Sequence, residues 1–346
     1  MTTAKTSSGS LRTYLITRLL LVIPMVWILI TLVFFVLRVI GDPIKSAFGQ
    51  LPPAEIARRR HAAGLDRPLL SQYWDYLKGV AHGDFGKSLT DNTTITSLLK
   101  VNGAATLELT FWAVVVALIV GIPLGRVAAR YRDRLPDVGL RLFGVLCYAI
   151  PVFFLGLLLK LLFAIQLGWL PATGRATPDA EIAINNVSPN THIYLINAIQ
   201  YGDGSYIWDV IKHTILPAIT LGLLVAGIFL RLVRVNLLQT LRADYVEAAR
   251  ARGVPEGRVV RKHAFKNAMI PVITVMGLQI ATLLGGAVLT EETFEWQGLG
   301  YKLAFYLQRD DYIAVQGIVT AVAVIVAIIS FLIDVIAAVI DPRVRY

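Results

Sequence analysis

The run LTFWAVVVALIVGIPLG, residues 109–125, has no charged side chain and decides the class of fold. A helix needs about 17 to 25 mainly apolar residues to cross the hydrocarbon of a bilayer, so this run predicts a transmembrane helix. Five further uncharged runs of similar length occur at residues 19–37, 142–159, 214–230, 267–290 and 312–333. The sequence therefore predicts an all-α integral membrane protein with six transmembrane helices.

The composition agrees with a membrane protein. Hydrophobic residues make up 56% of the chain and charged residues only 16%, whereas a soluble domain carries about 25% charged residues. The first apolar run is too long for a signal-peptide core and lacks a cleavage site after it, so we expect it to be retained as an anchor. Cys147 is the one cysteine, which excludes an intrachain disulfide and a cysteine-based metal cluster.

These runs predict an organisation along the chain. Outside the core we expect a cytoplasmic N-terminal tail (1–18), a first transmembrane helix (19–37), an extracytoplasmic segment (38–105) and a cytoplasmic C-terminal tail (341–346). The core covers 106–340, with transmembrane helices at 106–129, 139–167, 214–235, 267–290 and 312–340 and a cytoplasmic loop at 236–266.

The distribution of charge predicts the orientation. Arginine and lysine are concentrated in residues 1–18, 126–141 and 231–266, whereas acids outnumber bases in residues 168–213 and 291–311. Short loops rich in Lys and Arg remain on the cytoplasmic side, which places both termini there. The net charge of +10 is thus a signal of topology, and because it is spread over separate loops at a membrane it does not indicate a nucleic-acid partner.

The segment AHGDFGKS, residues 81–88, superficially matches a phosphate-binding loop. Such a loop needs a buried strand before it and a helix after it, so that backbone N–H groups and the helix dipole hold the phosphate. The preceding residues instead have the pattern of an amphipathic helix, and Asp84 would repel phosphate. We therefore expect no nucleotide site here. The histidines are scattered without the spacing of metal ligands, and we predict neither a catalytic site nor a metal site.

The loop at 236–266 has a pattern of its own. Apolar and small residues recur from Leu237 to Arg252 at helical spacing, Gly253 suits a helix terminus with positive φ, and Pro255 suits the start of a second helix. One interpretation is a basic amphipathic helix lying on anionic lipid. However, alanines offer little area to insert into acyl chains, while they permit close approach of another protein. We favour a helix, bend and helix that dock into a soluble partner.

Within this loop, Glu247-Ala248-Ala249, three residues and Gly253 resemble the EAA loop of ABC-transporter membrane subunits. Further runs extend the likeness over nearly the whole chain: ATLELTFWAVVVALIVGIPLG, YAIPVFFLGLLL, HTILPAITLGLL, HAFKNAMIPVITV, VLTEETFEWQGLG and DPRVR. Together they resemble peptide/nickel-type permeases, in the dipeptide and oligopeptide branch. Two features depart from that family, Gln297 in place of the usual proline and a long segment at 168–213.

The resemblance implies a type I ABC importer permease of a prokaryotic cytoplasmic membrane. It implies a homologous second permease, two cytoplasmic ATPase subunits and an extracytoplasmic solute-binding protein as partners, with ATP and Mg²⁺ bound by the ATPases and no cofactor bound by this chain. Dipeptides or oligopeptides are the implied substrates, while nickel chelates, glutathione and sugars stay open. The implied ATPase-docking residues are Leu241, Asp244, Tyr245, Glu247, Ala248, Ala249, Arg252 and Gly253.

Charged residues within the predicted spans are few, and each is costly at the bilayer centre. Glu108 and Asp334 lie near helix ends and are expected to reach interfacial water. Lys160 is deeper and is expected to extend outward past Leu167. We regard Lys160 and Glu108 as candidates for the substrate path. An ion-coupled transporter would instead show acid–base relays within the spans, and the docking loop alone would also fit a membrane scaffold that moves no solute.

Overall fold

The computed structural model describes residues 11–340, which are predominantly helical, as predicted. The helices are α1 (Leu11–Ile40), α2 (Pro43–Phe48), α3 (Pro53–Ala62), α4 (Leu69–Ala81), α5 (Ile95–Arg130), α6 (Leu135–Ala149), α7 (Val152–Leu159), α8 (Pro178–Asn185), α9 (Tyr194–Tyr201), α10 (Gly204–Thr240), α11 (Asp244–Ala251), α12 (Glu256–Arg258), α13 (Phe265–Gly286), α14 (Val288–Thr293), α15 (Leu299–Leu307) and α16 (Tyr312–Ile340). The π-helical turns Lys160–Gln166 and Val259–Ala264 extend α7 and precede α13.

Within the described residues, five continuous helical stretches are long and apolar enough to cross a membrane: Leu15–Val39, Ile95–Arg130, Gly204–Thr240, Glu256–Gly285 and Tyr312–Ile336. A sixth span is formed if Leu135–Ala149 and Val152–Gln166 are counted together, although they meet at an angle of 104°. The all-α membrane fold is therefore confirmed, with five or six spans.

The prediction of one continuous third helix at 139–167 is wrong. The chain breaks between α6 and α7, where Ile150 is extended with φ −75° and ψ 125°. Pro151 has no N–H to donate and disfavours a helical conformation in the residue before it, which explains the break. Proline alone does not have this effect, because Pro24, Pro123, Pro217 and Pro271 all lie inside continuous helices.

Several helices extend beyond their predicted ends. Residues 11–18, assigned to the N-terminal tail, are the first turns of α1, and α5 and α10 begin before the apolar runs they contain. Arg18 Nε lies 3.6 Å from Asp334 Oδ2, which joins one end of α1 to the last part of α16. The predicted tails at 1–10 and 341–346 lie outside the described residues.

The centre of the fold is the parallel pair α5 and α10, which form the most extensive helix contact. Ala113 and Ala117 on α5 are fully buried. A Cβ atom at Gly222 of α10 would lie only 2.6 Å from the Ala113 carbonyl oxygen, and one at Gly125 would lie 2.8 Å from the Leu230 carbonyl oxygen. Small residues thus let the two backbones touch, which is how transmembrane helices gain van der Waals packing in lipid.

We predict that Gly222→Ala destabilises the protein by about 1 to 3 kcal/mol, because the added methyl group overpacks this contact. Gly139→Ala is the matched control, since a Cβ at Gly139 of α6 meets no atom within 4 Å. That change should be neutral or slightly stabilising, because alanine favours helix more than glycine does. Thermal unfolding in detergent measures both; equal melting temperatures for the two variants would contradict the close contact.

Candidate functional site

The predicted docking segment adopts a helix, a bend and a second helix. The first helix is shorter than expected, because α10 ends at Thr240 and α11 starts only at Asp244. Ala243 is extended, with φ −78° and ψ 145°, so the prediction of one helix from Leu237 to Arg252 is wrong. Gly253 has φ +74°, as expected for the bend, and Pro255 directly precedes α12.

One face of α11 attaches the segment to the rest of the chain. Val246 and Ala249 are fully buried in a cluster with Leu237, Val259 and Ala264. The cluster joins α11 to the end of α10 and to the helix that leads into α13. Ala249, predicted as a docking residue, therefore faces the interior of this chain and positions α11 rather than offering a surface.

The other face of α11 is open. Six of the predicted docking residues are exposed and Leu241 is half-buried; the exposed ones are Asp244, Tyr245, Glu247, Ala248, Arg252 and Gly253. We call these six residues the α11 face. It combines two carboxylates and one guanidinium with small residues, so another protein can approach the backbone closely.

Polar contacts hold the bend in place. Arg250 donates from Nε and Nη2 to the two carboxylate oxygens of Glu256, at 3.0 and 2.8 Å, and from Nη1 to the Leu241 carbonyl oxygen at 3.2 Å. Asn267 Nδ2 donates to the Tyr245 hydroxyl at 3.0 Å. Exposed pairs of this kind contribute about 0 to 1 kcal/mol, so they set the direction of α11 more than they stabilise it.

Glu108 does not reach interfacial water, contrary to the prediction. Its carboxylate is buried and accepts hydrogen bonds from Arg175 Nη2 at 2.6 Å, Tyr194 N at 3.1 Å and Leu195 N at 2.9 Å. The guanidinium of Arg175 also lies over the Tyr194 ring, 3.6 Å from its centroid. This buried ion pair fastens the segment 168–213 to α5, and a solute has no access to the Glu108 carboxylate in this arrangement.

Lys160 also differs from expectation. It is half-buried, and its Nζ donates to the Thr293 carbonyl oxygen at 3.1 Å instead of extending past Leu167. Thr293 is the last residue of α14, so the ammonium group stabilises a helix C-terminus, where the backbone dipole favours positive charge.

A second buried carboxylate, Glu291, organises the turn between α14 and α15. It accepts hydrogen bonds from Thr106 Oγ1 at 2.7 Å and from Tyr301 N at 3.0 Å, while Trp296 Nε1 donates to the Ala105 carbonyl oxygen at 2.9 Å. Gln297 stands where the family usually has proline, and its backbone carbonyl oxygen accepts a hydrogen bond from Asn102 Nδ2 at 2.8 Å. The turn is therefore fixed to α5 with glutamine at this position.

The segment that resembles a phosphate loop holds an internal anion. Asp311 is fully buried, and its Oδ2 accepts from Ser88 Oγ at 2.8 Å, Leu89 N at 2.8 Å and Thr90 N at 2.9 Å. Its Oδ1 accepts from Ala314 N at 3.0 Å, in the first turn of α16. The amide groups after Lys87 are thus occupied by a carboxylate of the same chain, and α4 precedes them as predicted.

Sequence reasoning missed these long-range carboxylate contacts, and it also missed Asp137. Arg234 donates to the two carboxylate oxygens of Asp137 at 2.6 and 2.7 Å, which ties α6 to α10. The available signal was weak: Asp137 is one of two acids in a basic loop, and Arg175 is the one arginine in the acidic stretch 168–213. Among residues 11–340, no His, Cys, Asp or Glu side chains form a group of three suited to a metal ion.

Burial raises the pKa of Glu291, which lies outside the spans, from 4.5 to about 7. The folded protein therefore binds this proton more tightly than the unfolded chain does, and the associated stability is present in full below pH 4.5 and lost as the pH rises through 7. The loss is on the order of 3 kcal/mol. We predict that the melting temperature falls between pH 5 and pH 8, and that Glu291→Gln, which cannot titrate, reduces this fall. An unchanged pH dependence in Glu291→Gln would contradict the prediction.

Comparison with known proteins agrees with this architecture. Residues 121–346 match the family model described as binding-protein-dependent transport system inner membrane component, and residues 11–110 match the model of the N-terminal part of such components. The two matches together cover most of the chain.

Named relatives match over nearly their full length. The chain is 38% identical over 332 residues to the di/tripeptide transport system permease protein DppB of Pseudomonas aeruginosa, covering 95% of this chain and 97% of that protein. It is 39% identical over 341 residues to the dipeptide transport system permease protein DppB of Escherichia coli K12, covering 96% and 98%. It is 36% identical over 335 residues to the glutathione transport system permease protein GsiC of the same strain, covering 96% and 99%.

These relatives are permease proteins, not catalytic subunits, and a permease of this kind acts within a larger membrane complex. The all-α multi-pass fold and the two family matches lead to one conclusion: the chain belongs to the family of binding-protein-dependent transport system inner membrane components, the permease subunits of ABC importers.

Proposed function

We propose that this chain forms, with a second homologous permease, the path by which dipeptides or oligopeptides cross a prokaryotic cytoplasmic membrane. An extracytoplasmic binding protein delivers the peptide, and two cytoplasmic ATPase subunits dock on the α11 face. Both termini are cytoplasmic. ATP and Mg²⁺ act in the ATPase subunits, so this chain itself needs no cofactor. The relatives named for peptide transport support the choice of substrate.

The observation that carries the docking proposal is the division of α11 into two faces. Val246 and Ala249 are locked into the core cluster, while Glu247 and Ala248 are exposed beside them. A force applied to the exposed face is therefore transmitted to α10 and α13, the two spans that the segment connects. Shifting a transporter from 1:99 to 99:1 between two states takes about 5.5 kcal/mol, so this attachment has to be rigid.

Lys160 is our candidate for contact with substrate. Its ammonium group bonds to one carbonyl oxygen of α14, and a peptide carboxylate would form a stronger, charge-assisted bond in its place. We expect Lys160→Met to raise the KM for peptide about 10-fold to 100-fold, the effect of losing a hydrogen bond to a charged group. Lys100→Met, at an exposed position of α5, is the control. An unchanged KM for Lys160→Met would remove Lys160 from the path.

Reconstitution tests the function as a whole. The chain is assembled in liposomes with the second permease, the ATPases and the binding protein of the proposed complex, and ATP hydrolysis is followed as solutes are added. We expect dipeptides or oligopeptides to stimulate hydrolysis only when the binding protein is present. Stimulation by glutathione, a nickel chelate or an oligosaccharide, with none by other peptides, would overturn the assignment of substrate.

A further inference from the structure

A large cavity lies where α5, α10 and the start of the α12–α13 helix come together. Its volume is about 920 Å³, and four arginines line it: Arg126, Arg130, Arg258 and Arg261. We call this space the arginine cavity. Apolar side chains, including Val127, Leu237 and Val260, line the remainder. The cavity adjoins the docking segment, since Leu241 belongs to its wall.

The positive charge of the cavity is not balanced within the described residues. The ion pairs formed by residues 11–340 include none of the four arginines. Glu256 also lines the cavity, but both of its carboxylate oxygens already accept from Arg250. Arg126 lies over the Phe265 ring, 4.5 Å from its centroid, and Arg130 lies over the Tyr131 ring at 5.7 Å, contacts that leave both guanidinium groups charged. Four positive groups on the wall of one space repel each other, and an anion in that space relieves the repulsion.

The lining and position of the cavity narrow the choice of anion. The space is much larger than a phosphate ion needs, and its walls are partly apolar, which suits an amphiphile rather than a free ion. It lies at the ends of three predicted spans, where lipid headgroups are expected. Guanidinium groups bind phosphate in a bidentate geometry, and basic pockets between transmembrane helices bind anionic headgroups. The surface proposed for the ATPases, the α11 face, contributes no residue to the lining of the cavity.

We propose that the arginine cavity binds the headgroup of an anionic phospholipid. The phosphodiester lies between the guanidinium groups, and the part of the acyl chains next to the headgroup lies against Val127 and Val260. The bound lipid then rests against Leu241 and Glu256, at the two ends of the docking segment. An anionic lipid at this place fills the space between α5 and α12 and supports the helix ends to which α11 is attached.

Native mass spectrometry of the full-length chain in detergent tests the site, with phosphatidylglycerol and phosphatidylcholine as the probes. We expect tighter binding of phosphatidylglycerol, and about 30-fold weaker binding in the double variant Arg258→Gln/Arg261→Gln, since each basic residue near a headgroup contributes about fivefold. Arg231→Gln/Arg242→Gln is the matched control, because both residues are exposed near the end of α10 and lie outside the cavity. This pair should bind phosphatidylglycerol as the unchanged chain does.

Further arms keep the result decisive. Arg258→Lys/Arg261→Lys retains the charges and should retain most of the binding, which separates loss of charge from misfolding. Equal losses in the cavity and control variants would show diffuse attraction and overturn the site. Displacement of the lipid by equimolar glycerol phosphate would show that the anion alone is recognised, and displacement by a dipeptide would show that the cavity belongs to the substrate path; either result overturns the proposal.

Discussion

Arg175→Met should destabilise the protein by about 3 to 5 kcal/mol, because it leaves the Glu108 carboxylate buried without its cation. Glu108 and Arg175 have side chains 2% and 4% exposed, so water cannot replace the guanidinium. We expect the region around α8 and α9 to open first, since Arg175 precedes α8 and Glu108 also holds the first residues of α9. Thermal unfolding in detergent gives the total, and hydrogen exchange of residues 176–201 locates the loss.

Two further variants make this result specific. Arg58→Met removes the same side chain from an exposed pair with Glu55 and should cost less than about 1 kcal/mol. Glu108→Gln combined with Arg175→Met removes both charges and should recover part of the stability, since replacing both members of a buried pair is far less costly than removing one. If Arg175→Met and Arg58→Met reduce the stability equally, the ion pair does not hold the segment 168–213 to α5.

The structure also shows which features are readable from the sequence alone. Spans, the amphipathic α4 and the bend at Gly253 follow from local patterns: apolar length, helical periodicity and a glycine placed where positive φ is needed. Each depends on residues close together along the chain. The fold class was therefore predictable without any knowledge of how the helices pack.

Contacts between distant residues were not predictable in this way. Asp311 is bonded to Ser88 and Thr90, more than two hundred positions earlier, and Glu108 is bonded to Arg175. A charged residue near the end of an apolar run fits two outcomes, solvation at the interface or burial with a partner. Only the three-dimensional packing distinguishes them, and for Glu108 burial was the outcome.

Proline was ambiguous for a related reason. Neighbouring helices can satisfy the carbonyl groups that a proline leaves free. Within residues 11–340, Pro24, Pro123, Pro217 and Pro271 accordingly lie inside continuous helices, whereas Pro151 directly follows the end of α6. The division of α11 was ambiguous as well. Ala248 and Ala249 are identical residue types side by side, yet Ala249 is buried in the cluster with Val246 and Ala248 is exposed.

The division of α11 into a buried and an exposed face leads to the second large effect that we predict. Ala248→Trp places an indole on the exposed α11 face, so it should block docking while the chain stays folded. Ala249→Trp instead forces an indole into a fully buried position, so it should unfold the segment. We predict that Ala248→Trp reduces peptide uptake and recovery of the ATPases with the permease at least about tenfold, the effect of losing about 1.4 kcal/mol at the contact, with an unchanged melting temperature for the permease.

Gly253→Pro tests the same transmission of force from the α11 face, this time by changing the backbone. Proline is restricted to φ near −65°, whereas Gly253 has φ +74° and donates its N–H to the Arg250 carbonyl oxygen at 2.9 Å. The bend cannot form, and α11 should lose its direction although its exposed side chains are unchanged. For the Ala248→Trp variant of the preceding test, Ala57→Trp on α3 is the control for the added bulk, because Ala57 is also an exposed alanine. Normal uptake by Ala248→Trp and Gly253→Pro at normal expression would show that force enters the permease elsewhere, because the two changes disable one surface by independent routes.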